Sequence, residues 1–194
     1  IKVISKYVDV IMYRGSRQER LEEIVNVSEV PIINGLTDRS HPCQIMADLM
    51  TLEESCESLD GLDIVWIGDG NNVCNSWIHA SKHFNFNLRI SCPKSFFPKN
   101  DEIKGNNIHI FDDPLKAAKN ADVIVTDTWV SMGMADERKR LEKFKGFQVD
   151  EKLMSTAKPN CFFLHCLPAH RGNEVSAEVI DGKQSLVWVE AHNR

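Results

Sequence analysis

Three short segments carry side chains whose types and order could do chemistry: His41-Pro42-Cys43-Gln44, Asp127-Thr128-Trp129-Val130-Ser131-Met132-Gly133 and His165-Cys166-Leu167-Pro168-Ala169. Arg14, the loop Gly68-Asp69-Gly70-Asn71-Asn72 and the terminal Ala191-His192-Asn193-Arg194 extend the set. A guanidinium, imidazoles, amides, a carboxylate, a hydroxyl and a thiol brought together can bind an anion, polarise a carbonyl and hold an amine. Each residue alone has a plainer reading. Arg14 fits a solvated surface arginine, His41 before Pro42 a helix cap, Asp127 a cap at a strand end, and Cys166 a packed thiol. Gly68-x-Gly70 opens like a dinucleotide loop, but Val73 stands where a third glycine is needed and no acidic residue closes the next strand. The two glycines therefore read as a tight turn, with Asn71 and Asn72 presenting amides.

Something must aim these side chains at one another. Short apolar runs at Tyr7-Tyr13, Val30-Asn34, Leu62-Ile67, Phe86-Ile90, Ile108-Phe111, Asp122-Thr126 and Cys161-Leu164 read as strands. Leu62-Ile67 is apolar on both alternate faces, the pattern of a parallel strand covered by helices on each side. Five of these strands end in the reactive segments, and ligands of open parallel sheets bind beyond the carboxyl ends of the strands. Helix signals lie between them. His41-Pro42 opens a long helix to about Ser58, Asp113-Pro114 opens Leu115-Asn120, and Asp150 caps Glu151-Ala157 before Pro159. In the long helix Ile45, Leu49 and Leu52 form an apolar stripe, while His41, Gln44 and Asp48 share the other face. The expected architecture is α/β: two doubly wound parallel-sheet domains joined by a long helix, the first only partly present. Residues 1–50 would be the end of that first domain and residues 51–194 the second.

Composition removes several classes of function. With 194 residues, 42% of them hydrophobic, the chain can bury a substantial core. A net charge of -5 and a pI near 5.8 exclude nucleic-acid binding by bulk charge. No apolar run approaches the roughly 20 residues that cross a bilayer, and no signal peptide opens the chain. The first residues read as fold interior, so the native N-terminus is expected upstream. The six cysteines show no C-x-x-C pairing, which suits reduced thiols, at least four of them small buried hydrophobes.

Taken together the motifs resemble the ornithine carbamoyltransferases, over nearly the whole chain. The terminal segment resembles that family's Glu-x-Asn-Arg, with His192 at the variable position. The resemblance implies transfer of a carbamoyl group from carbamoyl phosphate to the side-chain amine of L-ornithine, giving L-citrulline and phosphate. It implies catalytic roles for Arg14, His41, Asp127, Cys166 and Arg194. Gln44, Asn72, Asp127, Ser131, Met132, Cys166 and Leu167 match the family's substrate-binding positions. It implies no cofactor and no metal, a homotrimer, no nucleic-acid or membrane partner, and a cytoplasmic place, or the mitochondrial matrix if a targeting segment lies upstream. The form His-Cys-Leu-Pro-Ala-His-Arg-Gly leans toward arginine biosynthesis. Three departures stand out. The family's Ser-x-Arg-Thr phosphate loop is not in these residues, the chain stops before the family's terminal helix, and Phe97-Asn107 is shorter than the family's helix there. These residues alone are therefore expected to bind carbamoyl phosphate poorly. Two other readings stay open: an NAD(P)-dependent dehydrogenase with a Rossmann-like domain, and a catalytically silent relative.

Overall fold

The computed structural model describes residues 1–98, 103, 105–130 and 137–194. Ser131 and Met132 lie outside the described residues, as does much of the Phe97-Asn107 stretch. A 3-10 turn at Ile4–Lys6 leads into strand β1 (Ile11–Arg14), followed by α1 (Gln18–Val27), β2 (Ile32–Leu36) and the long α2 (Pro42–Ser55). Next come β3 (Asp63–Ile67), α3 (Asn72–Ala80), β4 (Asn87–Ser91), β5 (Ile108–Phe111), α4 (Pro114–Ala118) and β6 (Val123–Thr126). The chain ends with α5 (Glu137–Lys143), α6 (Glu151–Met154), β7 (Phe162–His165), α7 (Ala177–Ile180) and α8 (Val187–Asn193).

All seven expected strands are present, and every pairing between them is parallel. The first is shorter than its apolar run. Tyr7, Val8 and Val10 remain exposed, because the chain turns through the 3-10 segment before it meets Pro31 and Ile32. β1 and β2 form a two-stranded sheet, and the remaining five follow the order β5-β4-β3-β6-β7. From β3 the chain first winds one way, through β4 and β5, and then back past β3 to β6 and β7. The loops after β3 and β6 therefore lie side by side where the winding reverses, the place where open α/β sheets bind ligands.

β3 shows why this sheet is covered twice. Ile64 and Trp66 enter one core with Trp77, Leu88, Val123 and Leu164; Val65 and Ile67 enter another with Ile124, Val149, Phe163 and Val187. Successive side chains of a strand point to opposite faces, so an all-apolar run needs helices on both. The stripe read on α2 holds: Ile45, Leu49 and Leu52 are buried in the first core. Gln44 and Asp48 are also buried, against α8. Asp113 and Asp150 cap α4 and α6 through their carboxylates, although both helices end sooner than expected. No described cysteine is bridged. Three, Cys74, Cys92 and Cys161, are buried, rather than the four or more expected; Cys43, Cys56 and Cys166 keep partial access.

Candidate active site

The site is built where the strands end. β3 runs into Gly68, whose φ of 139° suits only glycine, and into Gly70, where a Cβ would stand 2.4 Å from the Phe96 carbonyl oxygen. This tight turn delivers Asn71, which does two things at once. Its Oδ1 accepts from Val73 N and Cys74 N, capping α3, and its Nδ2 donates to Asp127 Oδ2 at 2.6 Å. The adjacent Asn72 reaches the other way, donating to the Thr37 carbonyl at 2.8 Å beyond β2. The Asn71–Asp127 bond spans the reversal point between β3 and β6.

Asp127 is an acceptor on which several donors converge. Its Oδ1 accepts from Thr128 N at 2.7 Å and from Cys166 Sγ at 3.0 Å. Cys166 follows β7 directly. Burial, and then the Asp127 carboxylate beside it, push its thiol well above the ordinary cysteine range. The sulfur is a protonated hydrogen-bond donor at neutral pH, which makes it a poor nucleophile and a poor base.

The turn that presents Cys166 is held from beneath. Leu167 takes a φ of 50°, uncommon for a branched residue, and its N–H donates to His165 Nδ1 at 2.9 Å. That bond leaves the ring proton on Nε2, which faces Glu174 Oε1 at 3.3 Å. Burial pushes the Glu174 carboxyl up, but the hydrogen bonds from His165 and the His170 amide outweigh it and hold the group below its usual value. Asp127, His165 and Cys166 offer ligand atoms within 4.8 Å of one another. Both nitrogens of His165 are already engaged, so this trio fits a metal ion only if the turn is dismantled.

His41 heads α2, where its backbone N–H donates to Ser76 Oγ at 2.7 Å. The imidazole is buried, and its Nδ1 has no partner among the described residues. Burial, then the charges of Arg14 and Arg194, lower its pKa to about 4, against a smaller opposing pull from Asp127. The ring is thus a neutral imidazole among two guanidiniums and a carboxylate. One turn on, Gln44 Nε2 donates to Asp48 Oδ1 and Glu190 Oε1, each at 2.7 Å. Gln44 Oε1 accepts from Arg194 Nη1 at 2.9 Å, and the same Arg194 nitrogen donates to the Cys166 carbonyl.

His41, Gln44, Asp127, Cys166 and Arg194 are thus joined by bonds or mutual charge, with Arg14 close enough to His41 to affect its proton. A sequence model described as "Aspartate/ornithine carbamoyltransferase, Asp/Orn binding domain" matches residues 60–194, and one described as the same family's "carbamoyl-P binding domain" matches residues 1–54. The chain belongs to the aspartate/ornithine carbamoyltransferase family. It is 52% identical over 195 residues to an ornithine carbamoyltransferase of Ruthia magnifica subsp. Calyptogena magnifica, a match covering 99% of this chain and 65% of that relative. One from Rhodopseudomonas palustris is also 52% identical, over all of this chain and 64% of the relative. Among solved structures, the ornithine carbamoyltransferase of Pyrococcus furiosus superposes with a TM-score of 0.92 at 42% identity, over 99% of this chain and 64% of that one. The chain thus spans a little under two thirds of the length of these relatives. Both halves of the family fold contribute to the constellation: Arg14, His41 and Gln44 from the carbamoyl-phosphate side, Asp127, Cys166 and Arg194 from the other.

Two participants escaped the reading of the motifs. Glu190 ties α8 to Gln44 and to the backbone N–H of His165, at 2.9 Å for the latter. Glu174 orients His165. Asn71, read as an amide of the loop after β3, is the one that orients Asp127. Asp48 also carried a signal, four residues after Gln44 on one helix face.

Proposed function

We propose that the protein carrying this chain transfers the carbamoyl group of carbamoyl phosphate to the side-chain amine of L-ornithine, releasing L-citrulline and phosphate. The observation that carries this reading is the Cys166–Asp127–Asn71 chain of hydrogen bonds within the electrostatic reach of a neutral, buried His41 that also feels Arg14 and Arg194. An amine needs an acceptor to orient it. A carbonyl under attack needs donors that do not themselves carry away the proton.

In this scheme the amine nitrogen attacks the carbonyl carbon, a C–N bond forms, and the C–O bond to phosphate breaks. Negative charge grows on the carbonyl oxygen, where Arg14, neutral His41 and Arg194 supply donors. Gln44 Oε1 has a second lone pair beside Arg194 and accepts from the carbamoyl NH2. The phosphate leaves with the bonding electron pair and takes the proton lost by the amine, so no covalent enzyme intermediate is needed. A free alkyl amine has a pKa of about 10, and Asp127 favours its charged form. Desolvation of the bound amine offsets that preference. Asp127 and Cys166 hold the amine in place instead of acting as strong bases. Ser131, Met132, Asn72 and Leu167 complete the ornithine side.

The names of the relatives support ornithine as acceptor. In this proposal residues 1–50 belong to the carbamoyl-phosphate domain and residues 51–194 to the ornithine domain, the enzyme is a cytoplasmic homotrimer, and it serves arginine biosynthesis. No described helix is long and apolar enough to cross a membrane. The test is a colorimetric citrulline assay on the full-length protein, with aspartate, putrescine and acetylornithine as rival acceptors. Ornithine is expected to be carbamoylated at least a hundredfold faster than the rivals; absence of citrulline, or preference for a rival, overturns the reading.

A further inference from the structure

Beneath the site lies a polar cluster that the transfer step does not touch. Asp48 from α2 and Glu190 from α8 are each only 1% exposed. Each accepts one of the two hydrogens on Gln44 Nε2, at 2.7 Å, so that one amide nitrogen holds the two carboxyls side by side. Glu190 Oε2 also accepts from His165 N. Arg194, the cation whose charge both carboxyls feel, sends Nη1 to Gln44 Oε1 and the Cys166 carbonyl instead. The His165 ring is committed to Glu174, and Cys166 to Asp127. Two buried carboxyls in contact do not both stay ionised, since like charges in a dry site repel strongly. Burial, first of all, pushes both carboxyls up; Glu190 accepts hydrogen bonds on both oxygens whereas Asp48 accepts only on Oδ1, so Asp48 Oδ2 is the atom placed to keep the proton.

The consequence concerns Gln44. A glutamine amide is nearly symmetric in shape, and only its partners fix which end is oxygen. Flipped, it would turn its NH2 toward Arg194 and the carbamoyl NH2, donor against donor. We propose that Asp48 and Glu190 are positioning residues that share one proton and lock the Gln44 amide with its NH2 inward and its Oε1 toward the carbamoyl group. This rests on the carbamoyl-transfer reading above.

The pattern makes an asymmetric prediction. Asp48→Asn preserves it: the new Oδ1 accepts from Gln44 and the new NH2 replaces the acid proton toward Glu190. Glu190→Gln breaks it, because Glu190 accepts on both oxygens and one of them becomes a donor. Asp48→Ala removes it. Steady-state kinetics on the full-length enzyme are expected to place Asp48→Asn within about threefold of wild type, whereas Asp48→Ala and Glu190→Gln lose about tenfold to a hundredfold in kcat/KM for carbamoyl phosphate, the scale of one misplaced hydrogen bond. The KM for ornithine should stay within about threefold of wild type in all three. Infrared difference spectra of wild type minus Asp48→Asn should show the carbonyl stretch of a buried protonated carboxyl, a signature that mere packing does not produce. Asp48→Asn losing as much as Asp48→Ala, Glu190→Gln retaining full activity, or an absent acid band overturns the proposal. If the wild-type enzyme makes no citrulline, the transfer reading fails by itself, and the acid band alone decides whether the proton is shared.

Discussion

Asn71 and Asp127 are bonded at 2.6 Å across the point where the sheet reverses its winding, and the same asparagine caps α3. One side chain thus starts a helix and aims the carboxylate assigned to the amine. Asn71→Ala is expected to cost about 1 kcal/mol of stability, as loss of an N-cap does. It should also raise the KM for ornithine more than that for carbamoyl phosphate. Chemical denaturation and paired titrations of the two substrates check this. Equal changes in both KM values would show that Asn71 does not aim Asp127.

Cys166 is a donor in this arrangement. A serine hydroxyl can donate to Asp127 in the same way, so Cys166→Ser should keep turnover within about tenfold of wild type, a difference on the scale of one hydrogen bond. Alkylation of the wild-type thiol at pH 8 should be slower than that of a free cysteine, because the thiolate is suppressed. Complete loss of turnover with unchanged ornithine binding would assign the sulfur a direct chemical part.

His41 titrates near pH 4 in the folded protein and near 6.5 when unfolded. As pH falls from 6.5 toward 4 the unfolded chain takes up this proton first, so stability drops across that window by up to about 3 kcal/mol. Above pH 6.5 the contribution is fully present. Proton NMR of the imidazole should find the shifted titration. Denaturant midpoints between pH 4 and 7 should lose part of their slope in His41→Gln. A titration near 6.5 in the folded protein would mean that the ring is neither buried nor under the charges of Arg14 and Arg194.

Glu174 has no place in the transfer step, yet it is fully buried and holds both His165 and the His170 amide. Glu174→Ala should destabilise the fold by about 3 kcal/mol, the scale for removing one partner of a buried polar pair. It should also slow catalysis by freeing the Leu167 backbone. Glu174→Gln, which keeps an acceptor, should lose less of both. Urea unfolding alongside the citrulline assay distinguishes the two variants.

The central strands are legible because a short run that is apolar on both faces has few other fates in a packed fold. Leu62-Ile67 announced two covering layers, and two cores meet there. The run at Tyr7-Tyr13 misled at its start, since apolar side chains form a strand only where a neighbour offers backbone groups, and Pro31 and Ile32 are met only at Ile11. α3 was hidden inside a stretch of glycines and asparagines that reads as loop, although the second asparagine begins the helix. The residues at the C-terminal ends of strands were readable by position. Their supporting partners were not: Glu190 lies 146 residues from Gln44, and no local pattern carries that distance.

The pairing of α2 with α8 reaches further than the site. Besides Gln44 with Glu190, Asn193 Nδ2 donates to Thr51 Oγ1 at 3.0 Å and to Glu54 Oε2 at 2.9 Å, so the two helices are fastened along their length by polar groups chosen for each other. A chimaera that imports either helix alone from a distant relative leaves buried acceptors facing the wrong donors. Evolution and protein engineers alike should find these segments exchangeable as a matched set, or hardly at all.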